Sequence, residues 1–65
     1  SDVVYKAFLR LNLNPNSTYT QVSERYYELT KKIHQKKINE EAKEKELDEL
    51  EKAYNILTEY YSKNS

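Results

Sequence analysis

The sequence predicts an all-α fold in which a short first helix packs on an antiparallel two-helix hairpin. Three observations predict it. The 65 residues include no glycine and one proline, so the residues that most disrupt helix interiors are nearly missing. Apolar residues recur at intervals of three and four in separate stretches, the period of one helix face. Two segments interrupt that pattern, an Asn- and Pro-bearing one at residues 12–17 and a basic one at residues 35–39.

The first element carries Val4, Phe8, Leu9, Leu11 and Leu13. Its early members follow helical spacing, while Leu11 and Leu13 read as a packed exit from a helix end. The stretch NLNPNS, residues 12–17, holds three Asn and the single Pro, residues that stop helices and hydrogen-bond their own backbone in turns. Thr18 and Gln21 then match a capping box, in which a hydroxyl accepts from an early backbone N–H and the side chain three residues on reaches back. A second helix therefore starts at about Thr18. Its apolar positions Val22, Tyr26, Leu29 and Ile33 are spaced four, three and four, one stripe suited to a groove between other helices, and it runs to about His34.

The last helix starts near Glu40, with Leu47, Leu50, Ala53, Tyr54 and Leu57 at intervals of three, three, one and three. Glu41 with Lys45 and Asp48 with Lys52 are spaced for i,i+4 ion pairs, each contributing about 0.2–0.5 kcal/mol on an exposed face. Narrow stripes on the second and third helices make antiparallel pairing the simplest arrangement, with residues 35–39 as the connection. The whole chain, residues 1–65, reads as a single domain and as a piece of a longer protein.

Composition narrows the function classes. A chain this short buries only about 60% of the surface its unfolded form exposes, so a staple is worth looking for. Cysteine is absent and there is one histidine, which leaves neither a disulfide nor a ligand set for zinc; no cofactor is implied. No apolar run approaches the ~20 residues of a membrane span, and there is no signal-peptide pattern, so no membrane contact is expected for this segment. No nucleophile–base arrangement or glycine-rich phosphate loop is visible, and an enzyme is not expected. Eleven cations balance eleven carboxylates, but unevenly: residues 24–39 sum to +3 and residues 40–65 to −4.

Taken in order, these pieces resemble the J-domain, the module by which DnaJ-type co-chaperones engage the seventy-kilodalton (DnaK-type) heat-shock ATPase. The family's Leu-Gly-Leu turn before a Thr-capped helix appears as Leu11-Asn12-Leu13 leading to Thr18, with Val22 at the family's distance. Its Ala-Tyr-Arg-x-Leu appears as Arg25-Tyr26-Tyr27-Glu28-Leu29, and its His-Pro-Asp tripeptide falls on His34-Gln35-Lys36. Its third-helix Phe-x-x-Ile-x-x-Ala-Tyr-x-x-Leu appears as Leu47, Leu50, Ala53, Tyr54 and Leu57. The resemblance covers roughly residues 5–59 and implies an intracellular setting, cytosol or mitochondrion.

The departures bear on activity. In the family, the Pro and Asp of the tripeptide are the residues most needed to trigger ATP hydrolysis, and here they are Gln35 and Lys36. An ammonium replaces a carboxylate, and loss of Pro removes the fixed φ that stops the helix sharply, leaving the second helix free to run on by a turn. The family's Arg-Lys pair is Tyr27-Glu28 here. The resemblance therefore implies a degenerate J-like interaction module, a regulator, scaffold or adaptor that does not stimulate chaperone ATPase. Its partner would be a DnaK-type ATPase, an intact J-domain protein or a larger complex. An atypical co-chaperone that still binds the ATPase is the nearest alternative, and a basic-loop nucleic-acid or assembly-factor module is another.

The candidate partner-binding residues are Arg25, Tyr27, Lys31, Lys32, His34, Gln35, Lys36 and Lys37. His34 reads as a residue kept in the helical frame or as a partner contact; general-base work needs an oriented partner and a pocket. The lysines read equally as a solvated helix end whose cations oppose the helix's negative pole. Phosphate binding is disfavoured by zero net charge and an acidic neighbour helix. Tyr26 and Tyr54 are expected to pack across their helices with hydroxyls at the rim, whereas Tyr27, Tyr60 and Tyr61 fit the stripes less well and are candidates for a docking surface.

Overall fold

The computed structural model describes residues 1–64. It is all-helical, with α1 (Asp2–Arg10), α2 (Tyr19–Gln35) and α3 (Glu40–Lys63) in chain order. Each helix starts where a short polar side chain can accept from an orphan backbone N–H. The Ser1 hydroxyl accepts from the Val4 N–H, and Asn39 Oδ1 accepts from the Ala42 N–H at 2.8 Å. At α2 both halves of the capping box close: Gln21 N–H donates to Thr18 Oγ1 at 3.2 Å, and Thr18 N–H donates to Gln21 Oε1 at 2.8 Å.

α1 ends in a left-handed turn. Asn12 has φ +56°, a region that costs most residues steric strain but that Asn enters more readily. The Asn12 N–H bonds to the Leu9 carbonyl and the Leu13 N–H to the Phe8 carbonyl, both at 2.9 Å, the paired bonds of a Schellman cap. The next break is held by Asn14, whose Oδ1 accepts from the Asn16 N–H at 2.8 Å and whose carbonyl accepts from the Ser17 N–H and hydroxyl. Tyr61 closes the same loop from a distance by donating its hydroxyl to the Ser17 carbonyl.

α3 is the spine, against which α1 and α2 each pack without packing on one another. α2 runs antiparallel to it: Tyr19 meets Tyr54 and Tyr61, while Lys36 at the other end meets Glu46. The core contains Ala7, Phe8 and Leu11 from α1 and its cap, Val22 and Ile33 from α2, and Leu50, Ala53 and Leu57 from α3. Tyr26 and Tyr54 stack across the hairpin with centroids 4.2 Å apart and planes 6° from parallel. The Tyr54 hydroxyl reaches the rim, where it shares hydrogen bonds with Tyr19 Oη at 2.9 Å and Ser23 Oγ at 3.2 Å.

Four expectations need correction. Leu9 is half exposed, at 50%, and Ala7 takes its place in the core; one helical step turns a side chain about 100°, and Phe8 already points inward. α2 does not run on by a turn but ends at Gln35, with Lys36 extended at ψ 146°. The Lys36 N–H closes that end on the Ile33 carbonyl at 3.1 Å, and the chain turns toward the Asn39 cap. Neither Glu41–Lys45 nor Asp48–Lys52 forms among the described residues; the pairs that close include Arg10–Glu49 at 2.8 Å and Lys36–Glu46 at 2.6 Å. Finally, Tyr60 and Tyr61 fold back onto Phe8, edge-on at 6.3 and 6.4 Å, because a fully buried phenyl ring offers more contact than solvent does.

Candidate functional site

The eight candidate residues all belong to α2 and the connection after it, but the structure divides them. Arg25 is turned inward: its guanidinium donates to the carbonyls of Leu11 at 3.1 Å and Asn12 at 2.9 Å. It thereby satisfies carbonyls at the end of α1, which the helix itself leaves without partners, and ties α2 to the α1–α2 loop. The sequence places Arg25 among the partner-binding candidates; only the packing of the loop beside α2 gives it these acceptors.

Tyr27, Lys31 and His34 are separated by four and three residues and are all exposed, so they form one outward stripe along α2. Tyr27 is 66% exposed, the most open of the large apolar side chains, and Lys31 Nζ stands 5.9 Å from its ring centroid. A cation at that distance and that exposure contributes about 0.5 kcal/mol, too little to hold the pair against a competing contact. The His34 imidazole is solvated. Its backbone carbonyl accepts from Lys43 Nζ at 2.9 Å, so the C-terminal pole of α2 is met by a cation from α3. No spacing signal pointed to Lys43.

Lys32 and Lys36 lie on the flank of α2 facing the end of α1. With Arg10, Leu29, Ile33 and Glu46 they line a cleft of about 240 Å³. Lys36 is committed there to Glu46, whereas Lys32 closes no ion pair among the described residues. Gln35 and Lys37 are exposed on either side of the helix end. The sequence block 31–37 is therefore split: its cations point in several directions around the end of α2, and one of them is neutralised.

A second concave feature, of about 440 Å³, lies at the opposite end of the hairpin, between Tyr19, Thr58 and Tyr61. The Tyr19 hydroxyl shares hydrogen bonds with Thr58 Oγ1 at 3.1 Å and with Tyr54 Oη. These bonds favour the ionised phenol and lower its pKa below the usual tyrosine value, the Thr58 bond contributing most. Tyr61 is shifted the other way, raised chiefly by burial and then by neighbouring Tyr60. Among the described residues no group of His, Asp and Glu side chains is placed to hold a metal ion, and no helix is long and apolar enough to cross a membrane.

No family model, curated protein or solved structure matches the chain. The geometry of the α2 surface and its connection to α3 thus carries the functional argument.

Proposed function

We propose that this chain is a J-like protein-interaction module that docks on another protein through the outer stripe of α2 and the α2–α3 connection, without stimulating a chaperone ATPase. The observation that carries the reading is the state of the connection. His34 is open to solvent, but Lys36 stands where the J-domain family has its aspartate, and its ammonium is bound to Glu46 at 2.6 Å. A site that elsewhere offers a carboxylate to the ATPase here offers a cation neutralised within its own fold. Further support comes from Asn12, which occupies a left-handed turn at the position of the family's glycine.

Docking rather than catalysis suits the chemistry on this surface. Its most open large apolar group, Tyr27, stands beside Lys31, and exposed aromatics flanked by cations are the side chains that anchor protein contacts. Among the described residues, no side chain is bonded to the solvated His34 imidazole to orient it as a general base.

The test is single-turnover ATP hydrolysis by a DnaK-type ATPase in the presence of this chain, of an intact J-domain, and of the Gln35→Pro, Lys36→Asp variant. The proposal expects no acceleration by the wild-type chain. Acceleration equal to that of the intact J-domain refutes it. The variant speaks to the atypical co-chaperone: a sharp gain means the chaperone-binding face survives and only the trigger was lost, while an inactive, folded variant assigns the α2 surface to a different protein.

A further inference from the structure

Five of the seven tyrosines form one run of ring contacts. Tyr26 stacks on Tyr54 with centroids 4.2 Å apart, Tyr54 neighbours Tyr19 at 6.1 Å, Tyr19 neighbours Tyr61 at 5.6 Å, and Tyr61 neighbours Tyr60 at 5.2 Å. The sequence contains no Cys or Met, the side chains on which oxidants ordinarily act, and no Trp. One-electron oxidation of this chain therefore falls on tyrosine, and a radical formed on any of the five has another phenol in contact.

Within the run, one pair differs from the others. Tyr19 and Tyr54 bring their hydroxyl oxygens to 2.9 Å with ring planes 22° from parallel, so the carbons ortho to the two hydroxyls lie at the adjoining ends of the rings. Tyr26 and Tyr54 overlap face to face, 6° from parallel, and a bond joining their ring edges would require that stack to be pulled apart. Tyr61 is tilted 58° to Tyr19 and directs its hydroxyl to the Ser17 carbonyl, and Tyr60 stands at 73° to Tyr61. Tyr19 is also the first residue of α2, 37% exposed beside the concave surface it shares with Thr58 and Tyr61, so a small oxidant reaches its ring.

We propose that Tyr19 and Tyr54 form an oxidative cross-linking site, joined by a carbon–carbon bond into dityrosine when the chain meets hydrogen peroxide and a one-electron oxidant of the haem peroxidase class. Each phenol gives one electron to the oxidant and one proton to solvent. The two phenoxyl radicals pair their odd electrons in a bond between the ortho carbons. Each of those carbons then loses its hydrogen as a proton while the oxygen regains one, which restores both aromatic rings and both hydroxyls. In sum, two tyrosines and one hydrogen peroxide give one dityrosine and two waters. The product holds its two hydroxyls side by side, the arrangement that Tyr19 and Tyr54 already have. Thr58 Oγ1, at 3.1 Å from the Tyr19 hydroxyl, and Ser23 Oγ, at 3.2 Å from that of Tyr54, give the departing protons a hydrogen-bonded neighbour. The Thr58 and Tyr54 bonds that lower the Tyr19 pKa also ease its oxidation, since a phenolate yields an electron more readily than a phenol.

The bond ties the start of α2 to α3 across 35 residues, in a chain whose sequence has no cysteine to form a disulfide. A link of that length removes disorder from the unfolded chain. The site lies at the opposite end of the hairpin from the Tyr27, Lys31, His34 stripe, so it goes beyond the docking role and does not rest on it.

The test treats the 65-residue chain with a haem peroxidase and one equivalent of hydrogen peroxide, at low protein concentration so that encounters between chains are rare. Dityrosine fluorescence is expected in a product of monomer size whose mass is lower by two hydrogens. Trypsin should then release residues 11–25, in which Tyr19 is the single tyrosine, joined to residues 53–63, and fragmentation should place the bond on Tyr54. A link from Tyr26 would instead join residues 26–31 to residues 53–63. Tyr19→Phe and Tyr54→Phe, verified as helical by circular dichroism, should lose this product, while Tyr27→Phe should keep it. Wild-type chain unfolded in urea should yield several-fold less. The cross-linked monomer should unfold at a urea midpoint higher by roughly 2–4 M. No dityrosine, a bond between any other pair, or links only between chains through the exposed Tyr5 and Tyr27 overturns the proposal. So does a yield unchanged in urea, and a cross-linked monomer whose midpoint has not risen overturns the bond's role as a staple.

Discussion

Replacing Phe8 with alanine tests whether α1 is part of the domain, because α3 is the helix on which α1 packs. Phe8 is 1% exposed and sits edge-on to both Tyr60 and Tyr61. Burying a phenyl side chain contributes about 1.5–3 kcal/mol. Each aromatic pair adds about 0.5–1.5 kcal/mol, so the loss lies at about 2.5–6 kcal/mol, bracketing the 3–5 kcal/mol typical of such truncations. A domain of 65 residues has a total stability of about 3–10 kcal/mol. Phe8→Ala should therefore remove a large part of it and can unfold the chain outright. The assay is urea denaturation followed by circular dichroism. At an m-value near the lower end of the usual range, about 1 kcal/mol per molar urea, the midpoint falls by several molar. Phe8→Leu, which keeps most of the apolar volume, should lose roughly half as much. A Phe8→Ala loss below about 1 kcal/mol would refute the reasoning, since it would mean that α1 is not docked and the stable unit is the α2–α3 hairpin alone.

Three further outcomes are expected. Thr18→Ala breaks the capping box at the start of α2 and should cost about 1 kcal/mol, lowering Tm by about 4–8 °C in a scanning calorimeter. Asn12→Ala forces a side chain with no polar compensation into left-handed backbone and should destabilise by about 1 kcal/mol, whereas Asn12→Gly should be neutral or slightly stabilising; chemical denaturation separates the two. The tyrosines set an alkaline limit of opposite signs. Tyr61 has a raised folded-state pKa, so its contribution is present below the ordinary tyrosine pKa near 10 and is lost as pH climbs through the folded value. The lowered pKa of Tyr19 acts oppositely, adding stability as its phenol ionises. Tyr61→Phe should thus flatten the loss of stability above about pH 10 and Tyr19→Phe should steepen it, read from urea midpoints across pH.

Much of the candidate site is a matter of which way each helical residue faces, and there the sequence carries unequal information. The outward stripe Tyr27, Lys31, His34 is legible, since it lies opposite the apolar stripe Val22, Tyr26, Leu29, Ile33 by helical period alone. The partners of the flanking residues are not. Arg25 bonds to the carbonyls of Leu11 and Asn12, and Lys36 to Glu46; each partner is at least ten residues away and is brought near by how the helices stack. The role of Lys43 is illegible for the same reason, because a lysine within an acidic helix carries no mark of the carbonyl it will meet.

What the sequence determined by itself is local. The capping box at Thr18, the turn at residues 12–17 and the apolar stripes depend on residues within a few positions of each other, where backbone bonds and helical period act directly. Even the pairing of Tyr26 with Tyr54 follows once two stripes must cover one another. Tertiary structure decided the rest. Leu9 was left outside because Phe8 had already claimed the inward direction, and Tyr60 and Tyr61 were drawn in because Phe8 needed covering. Charges separated along the chain were set side by side at one end of the hairpin because α2 and α3 run in opposite directions. Those outcomes depend on which surfaces meet, and contacts between distant segments are settled by packing a shared core rather than by any one segment's preference.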